Sequence, residues 1–290
     1  MNPARSHLYV PGDRGEMLEK AEGRGADVLI VDLEDAVAPA AKDAARETVA
    51  AWLTERGSAG DAAGRVPAVW VRVNPGAPLR DDLESVVLPG LAGICLAKAG
   101  SVEEIRQLDT ALTGLERSRG IAPGTVEVSA LIETAAAVLS AARIAAAPRV
   151  SRLQVGEADL GAELGVQLGT DEREFLWVRS QVVLASAAAG IAPPVGPVST
   201  NFRDLDRLRD STLALKRLGF HGRACIHPAQ VAVVNEVFTP TAEETGHARE
   251  LVEGYEAAIA AGNGVFTDRA GRMVDLAVIR AARRVLAAVG

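Results

Sequence analysis

From residue 7 onward the chain alternates between two hydrophobic rhythms. Short runs rich in Val, Ile and Leu cover 7–10, 27–34, 68–74, 93–99, 126–133, 152–160, 194–199 and 224–227, and each reads as a strand. Between them lie longer stretches with apolar residues three and four positions apart. KDAARETVAAWLTERG at 42–57 and TAAAVLSAARIAAAP at 134–148 are two of these, and they read as helices. Strand followed by helix, repeated, implies parallel pairing, because a parallel neighbour needs a crossover. Eight such units within 1–238 predict an α/β fold, a (β/α)8 TIM barrel. A doubly wound open sheet would typically show fewer strands and a glycine-rich first turn. The prolines of APPVGPVS suit an edge or a loop better than the interior of a seventh barrel strand.

The rhythm changes after Phe238, which divides the chain into a catalytic barrel, 1–238, and a C-terminal helical extension, 239–290. Thr241 and Glu244 have the spacing of a capping box ahead of one amphipathic helix. A short hairpin around 268–271 and a final helix follow. A barrel does not require this extension, so it is expected to serve as a lid over the mouth or as a subunit contact. Residues 58–64 read as a surface loop, and no repeat of fixed period is present.

Composition narrows the function classes. Of the 290 residues, 48% are hydrophobic, enough for a large core and incompatible with disorder. A net charge of -7 with acids and bases interspersed argues against nucleic acid or an anionic membrane surface as partner. MNPARSHLYV lacks a signal peptide's apolar segment, and no uncharged apolar run of about 18 residues occurs, so a cytoplasmic location is the expectation. Cys95 and Cys225 each sit in an apolar run and are expected to be buried free thiols.

Active sites of such barrels lie at the C-terminal ends of the strands. LIVDLEDAV ends strand two with Asp32, Glu34 and Asp35, three mutually repelling carboxylates that call for a cation nearby. The other strand ends supply Arg72 and Asn74, Lys98, Glu133, Glu157 and Asp159, and His227. Alternation along a strand puts Asp32 and Glu34 on one face, leaves Asp35 to the loop, and puts Glu157 and Asp159 on a common face. Glu133 and Asp159 on adjacent strands offer oxygens to a hard divalent cation, and Mg²⁺ takes one or two carboxylates plus water and substrate. Each of these acids taken alone is more simply read as a solvated strand end or a helix N-cap, and it is their number that points to a site. Arg72, among the valines of VWVRVNP, requires an anion, either Asp32 and Glu34 or a substrate carboxylate or oxyanion. YVPGDRG adds Arg14 and PARS adds Arg5, both suited to a phosphate or carboxylate. No G-x-S-x-G elbow, phosphate loop, paired CxxC or H-E-x-x-H spacing occurs, and the four histidines are too dispersed in sequence to propose a zinc site.

RSHLYVPGDRGEMLEKA, ADVLIVDLEDAV, VRVN, LIET, VGEADLGAELG, AAAGIAPP and LGFHGRACIHPAQV occur in this order over nearly the whole chain. Together they resemble the citrate lyase β subunit-like branch of the HpcH/HpaI aldolase/citrate lyase family. The resemblance implies a Mg²⁺-dependent carbon–carbon lyase, with Mn²⁺ as a substitute ion, that cleaves or forms a 3-hydroxyacyl-CoA thioester such as citryl-, malyl- or citramalyl-CoA. The partners are then a 2-oxo acid and an acyl-CoA. It maps the metal ligands onto Glu133 and Asp159 and the substrate arginine onto Arg72. Asp32, Glu34 and Asp35 would order that arginine and water, and Arg14, Asp35 and Glu133 would add to substrate binding. Asp275 of MVD matches an aspartate that completes a neighbouring subunit's site, and it is the candidate proton carrier in what the resemblance implies is a homotrimer or a multiple of one. Free hydroxy-oxo acid aldolase, thioesterase or malate synthase-like activity, or a non-catalytic role in a citrate lyase complex, are the alternatives. The chain departs from the family at Ala97, where a proline is frequent before the lysine, and at PPVGPVS, where an aspartate is frequent near strand seven.

Overall fold

Eight parallel strands close on themselves in sequence order in the computed structural model, which describes residues 4–58 and 66–289. They are β1 (Ser6–Pro11), β2 (Val28–Asp32), β3 (Ala68–Val73), β4 (Leu91–Leu96), β5 (Glu127–Ile132), β6 (Val150–Val155), β7 (Val195–Gly196) and β8 (Gly222–Cys225). Closure runs through β1, which pairs with β2 from His7↔Val28 to Pro11↔Asp32 and with β8 at Ser6↔Arg223, His7↔Ala224 and Leu8↔Cys225. The helices between them are α1 (Gly15–Ala21), α2 (Lys42–Ser58), α3 (Leu79–Val86), α4 (Val102–Ser118), α5 (Ala135–Ala145), α6 (Glu157–Leu164), α7 (Leu176–Ala189) and α8 (Leu205–Leu218), and α9 (Pro228–Phe238) follows the last strand. The predicted (β/α)8 TIM barrel is therefore what the chain forms. The surface loop expected over 58–64 begins at the last residue of α2 and otherwise lies outside the described residues.

Alternation along each strand sorts the side chains. One set packs inside the ring, where Val28, Ile30, Trp70, Cys95 and Leu131 form a buried cluster with Tyr9 against it. Gly93 makes room for this packing, since a Cβ there would lie 2.5 Å from the Trp70 ring. Two residues beyond Ile30, Trp70 and Leu131, on the same inward face, come Asp32, Arg72 and Glu133. The apolar interior thus ends in a charged layer at the C-terminal rim.

Three expectations are corrected. Strand six was predicted over 152–160, but β6 stops at Val155 and the chain turns at Gly156 into α6, so Glu157 and Asp159 occupy the first turn of a helix. Two residues on a helix diverge instead of sharing a face. Arg5 meets no ligand site: it lies just before β1 and forms an ion pair with Asp27, just before β2, at the opposite end of the barrel from the charged layer (Nε–Oδ2 2.8 Å). Strand seven shrinks from the predicted 194–199 to two residues, as its prolines require. Cys95 and Cys225 are free and buried as expected, and burial pushes both thiols up to about 12.

Chain contacts divide the molecule into a barrel unit, Ala4–Asn235, and a second unit that includes Glu236–Gly290. In the second unit α10 (Ala242–Ala260) packs on α11 (Leu276–Ala287) through Ala248, Leu251, Ile279 and Ala282. Strands β9 (Phe266–Thr267) and β10 (Met273–Val274) form the hairpin before α11. The Thr241–Glu244 capping box is present at the start of α10. Among the described residues no helix is long and apolar enough to cross a membrane.

Candidate active site

Asp32 closes β2 and Arg72 is its register partner on β3, so the two side chains meet inside the barrel. Arg72 Nε and Nη2 donate to the two Asp32 oxygens at 2.7 and 2.5 Å, a fork-to-fork pair. Asp32 accepts two more hydrogen bonds, from the N–H groups of Glu34 and Ala36 (2.8 and 3.1 Å), which wind the chain tightly just past the strand. That turn carries Glu34 back to Arg72, with Oε2 3.0 Å from Nη1, while Oε1 accepts from Lys98 Nζ at 2.5 Å. Two acids and two cations thereby neutralise one another, with Asp32, Glu34 and Arg72 largely buried and Lys98 reaching in from a partly exposed position. Burial opposes the Arg72 charge, but the hydrogen bonds and charge of Asp32 outweigh it and hold the guanidinium above its ordinary pKa. The cation demanded by the acids of LIVDLEDAV is Arg72, joined by Lys98.

Two further layers brace this group. Lys42, at the start of α2, reaches back to the carbonyls of Leu33 and Glu34 (both 2.6 Å) and to Asn74 Oδ1 (2.9 Å). Asn74 is held in turn by the fully buried Asp82, which also takes Arg46 Nε at 2.7 Å. Beneath the charged layer the Arg72 guanidinium carbon lies 5.1 Å from the centroid of the Tyr9 ring, and Gln154 Nε2 donates to Tyr9 Oη at 2.7 Å.

Glu133 follows β5 and has a different character. Its Oε1 accepts the Lys98 backbone N–H at 2.6 Å, a bond set up by the left-handed backbone of Lys98 (φ 51°), strain of the kind stored at functional sites. Burial drives the Glu133 pKa up to about 8; the Lys98 N–H works against that rise and the nearby Asp159 charge adds to it. Gly156 lets the side chain pass, since a Cβ there would lie 2.5 Å from Glu133 Cβ and 2.6 Å from Oε2. Glu157, one residue on, turns away: both of its oxygens are taken by Arg179 of α7 (2.6 and 2.7 Å), which also binds Glu172 (2.8 Å).

Arg72, Asp32, Asp35, Glu133 and Asp159 all line one cavity of about 370 Å³ at the rim, floored by Tyr9 and Gln154 and walled by Val198 and Ile226. Asp35 is exposed at its edge. Glu133 and Asp159 face the cavity as two carboxylates with no cationic side chain in contact among the described residues, and the Asp159 charge adds to the rise that burial gives the Glu133 pKa. Hard-oxygen ligands in this number, with room for water and substrate oxygens, fit a Mg²⁺ ion. Arg14 is exposed in the loop after β1, 3.7 Å from Asp13 and outside the cavity lining. Asp275 belongs to the second unit, where it caps α11 by accepting from the N–H groups of Ala277 and Val278. His227 stacks on Phe202, with ring centroids 4.8 Å apart. Tyr9, Gln154, Lys42, Gly156 and Arg179 were not anticipated. Polar residues at inward strand positions mark Tyr9 and Gln154, and an arginine inside the apolar helix LWVRSQVV carries the same signal that singled out Arg72.

Known proteins resemble this chain in sequence and in fold. The model of a family described as HpcH/HpaI aldolase/citrate lyase matches residues 5–228. A citrate lyase subunit beta from Leuconostoc mesenteroides subsp. cremoris is 32% identical over 97% of this chain and 92% of its own. An L-malyl-CoA/beta-methylmalyl-CoA lyase from Cereibacter sphaeroides is 33% identical, again over 97% of this chain and 92% of its own. Among solved structures, the CitE protein of Mycobacterium tuberculosis in complex with magnesium, acetoacetate and coenzyme A superimposes with a TM-score of 0.77 at 29% identity, covering 100% of both chains. A citrate lyase beta subunit from M. tuberculosis complexed with oxaloacetate and magnesium gives 0.66 at 31% identity, over 82% of this chain and 98% of that one.

Proposed function

We infer function from one premise: the chain belongs to the HpcH/HpaI aldolase/citrate lyase family. It is a Mg²⁺-dependent carbon–carbon lyase acting on 3-hydroxyacyl-CoA thioesters, releasing a 2-oxo acid and an acyl-CoA. The observation that carries this is the division of the cavity into two sides. One side has Arg72, already neutralised by Asp32 and Glu34, and the other has Glu133 and Asp159 without a cation.

Glu133 and Asp159 would hold the Mg²⁺. Bound there, the ion supplies Lewis-acid polarisation and a template for a carboxylate and its neighbouring oxygen. Arg72 keeps N–H donors beyond those given to Asp32, and these bind the substrate oxygen on which negative charge grows. Asp32 and Glu34 hold the guanidinium in place, and Tyr9 supports its face. In the cleavage direction the hydroxyl loses its proton to a base and the carbinol carbon becomes the oxo carbon. The bond to the thioester α-carbon breaks, and its electron pair remains as the acyl-CoA enolate, which then takes a proton. Asp275 is the carboxylate we assign to proton movement, delivered by a neighbouring subunit of a homotrimer or a multiple of one. The extension 239–290 then serves as lid or subunit contact, and the location is cytoplasmic.

The test follows oxo-acid release from a panel of 3-hydroxyacyl-CoA thioesters with Mg²⁺ and with chelator. Release abolished by chelator is expected. Absence of release in folded, Mg²⁺-supplied protein would refute the reading.

A further inference from the structure

We infer that Arg179 is a positioning residue for the metal side of the cavity: from behind α6 it sets where Asp159 stands relative to Glu133. The inference deepens the lyase reading and rests on its assignment of those two carboxylates to Mg²⁺. Glu157 shares the first turn of α6 with Asp159, and Arg179 of α7 clamps both of its oxygens, at 2.6 and 2.7 Å. Both side chains of this pair are more than nine-tenths buried. No side chain caps α6, whose N-cap is Gly156, so its first turn is anchored by the fork instead. Farther along the same helix, Glu163 Oε2 accepts the N–H of Ala135, two residues past Glu133, at 3.0 Å. One helix thus presents Asp159 at its start and grips the turn that carries Glu133 near its end.

The clamp is itself fixed from a third side. Arg179 Nη2 also donates to Glu172 at 2.8 Å, and Ser211 of α8 donates to the same Glu172 oxygen at 2.9 Å. Glu172 has a left-handed backbone (φ 53°), which a residue other than glycine keeps only where its surroundings over-determine it. Mg²⁺ is small and demands near-octahedral ligands, so it tolerates little drift between two carboxylates that share it. A fork that opens leaves Glu157 short of partners in a buried place, and the turn that moves to relieve it carries Asp159 along. Lysine at 179 retains the charge but cannot form the fork.

The experiment measures Mg²⁺ affinity by calorimetry on the full chain, well below its melting temperature, for Arg179→Lys, Glu157→Gln and Arg149→Lys. Arg149 is the comparator: it precedes β6 at the opposite end of the barrel, and its Nη1 and Nη2 donate to the two oxygens of the buried Glu116, both at 2.8 Å. All three variants lose a buried fork and are expected to melt lower. The Kd for Mg²⁺ is expected to rise at least about tenfold in Arg179→Lys and Glu157→Gln, and to stay within about twofold of the parent in Arg149→Lys. An unchanged Kd in the first two, or an equal rise in the third, would make Arg179 merely structural and overturn the inference. Should Arg179→Lys fail to fold, Glu157→Gln decides, since its amide oxygen still accepts one hydrogen bond from Arg179. Mg²⁺ binding that survives both Glu133→Gln and Asp159→Asn refutes the ligand assignment itself, and the inference with it.

Discussion

Arg72 and Asp32 face one another across adjacent strands through two hydrogen bonds of 2.7 and 2.5 Å, and neither side chain has more than a small fraction of its surface in water. Removing the cation leaves Asp32 and Glu34 buried together. Arg72→Ala is expected to cost about 3–5 kcal/mol of stability, the penalty for breaking a buried pair, read from urea midpoints. Arg72→Lys keeps the charge but cannot form the fork, so its stability loss is smaller while kcat/KM falls roughly 10²–10³-fold.

Glu133 is protonated in the folded, metal-free protein up to about pH 8. Its pKa is raised on folding, so the stability it contributes is present below the unfolded value of 4.5 and is lost as pH rises through about 8. Metal binding has the opposite slope, because only the carboxylate is a ligand. Mg²⁺ affinity measured by calorimetry is expected to climb from pH 6 to about 8 and then level off. Glu133→Gln should abolish binding and flatten the stability profile together.

Position 156 separates packing from chemistry. Gly156→Ala introduces a Cβ into the space filled by Glu133, at 2.5 Å from its Cβ. The carboxylate must move, so Mg²⁺ affinity is expected to drop about 10–100-fold, the range seen when the supports of metal ligands are disturbed. Circular dichroism should show the barrel intact; unchanged affinity would mean that Glu133 is not a ligand.

Asp275 both caps a helix and is assigned to proton movement, and the two roles part under substitution. Asn is as good an N-cap as Asp, so Asp275→Asn should leave the melting temperature unchanged while kcat falls roughly 10²–10⁴-fold. Asp275→Ala should show the same kinetic loss plus about 0.5–2 kcal/mol of destabilisation.

Inside the barrel the His7 ring lies 3.0 Å from Arg152 Nη1, and burial followed by the Arg152 charge lowers its pKa from 6.5 to about 3. Protons therefore favour the unfolded chain over that interval. The stability contributed is full above 6.5 and is lost as pH falls toward about 3, by up to about 1.4 kcal/mol per pH unit. Urea unfolding at pH 7.5 and 5 should show this loss, and His7→Gln should reduce it.

Much of this protein was legible in its sequence. Runs such as VLIVD and AVWVRV are apolar on both faces and can only be strands covered by helices, so the barrel followed from pattern. Arg72 stood out because a buried guanidinium needs an anion. What escaped depends on chain path. QVGEADLG alternates like a strand, yet Gly156 breaks it, and acids in a helix's first turn produce the same letters as acids on a strand's edge. Arg5 looked like a ligand group because its partner, Asp27, is brought to it only by the pairing of β1 with β2. The left-handed turn at Lys98, which aims an N–H at Glu133, has no glycine to announce it.

The closed sheet is uneven around its circumference. β7 has two residues and meets β6 at a single register pair, Gln154↔Val195, against five or more positions along β1 and β2. Amide hydrogens there are the ones expected to exchange first in the barrel, since so few ladder bonds must open to release them. Val198 stands three residues past that seam. One wall of the cavity is thus carried by the least firmly stitched part of the sheet, where insertions and substitutions disturb least. A duplicated copy of this enzyme would change the shape of its cavity most readily there, while Asp32 and Arg72, paired along full-length strands, would stay as they are.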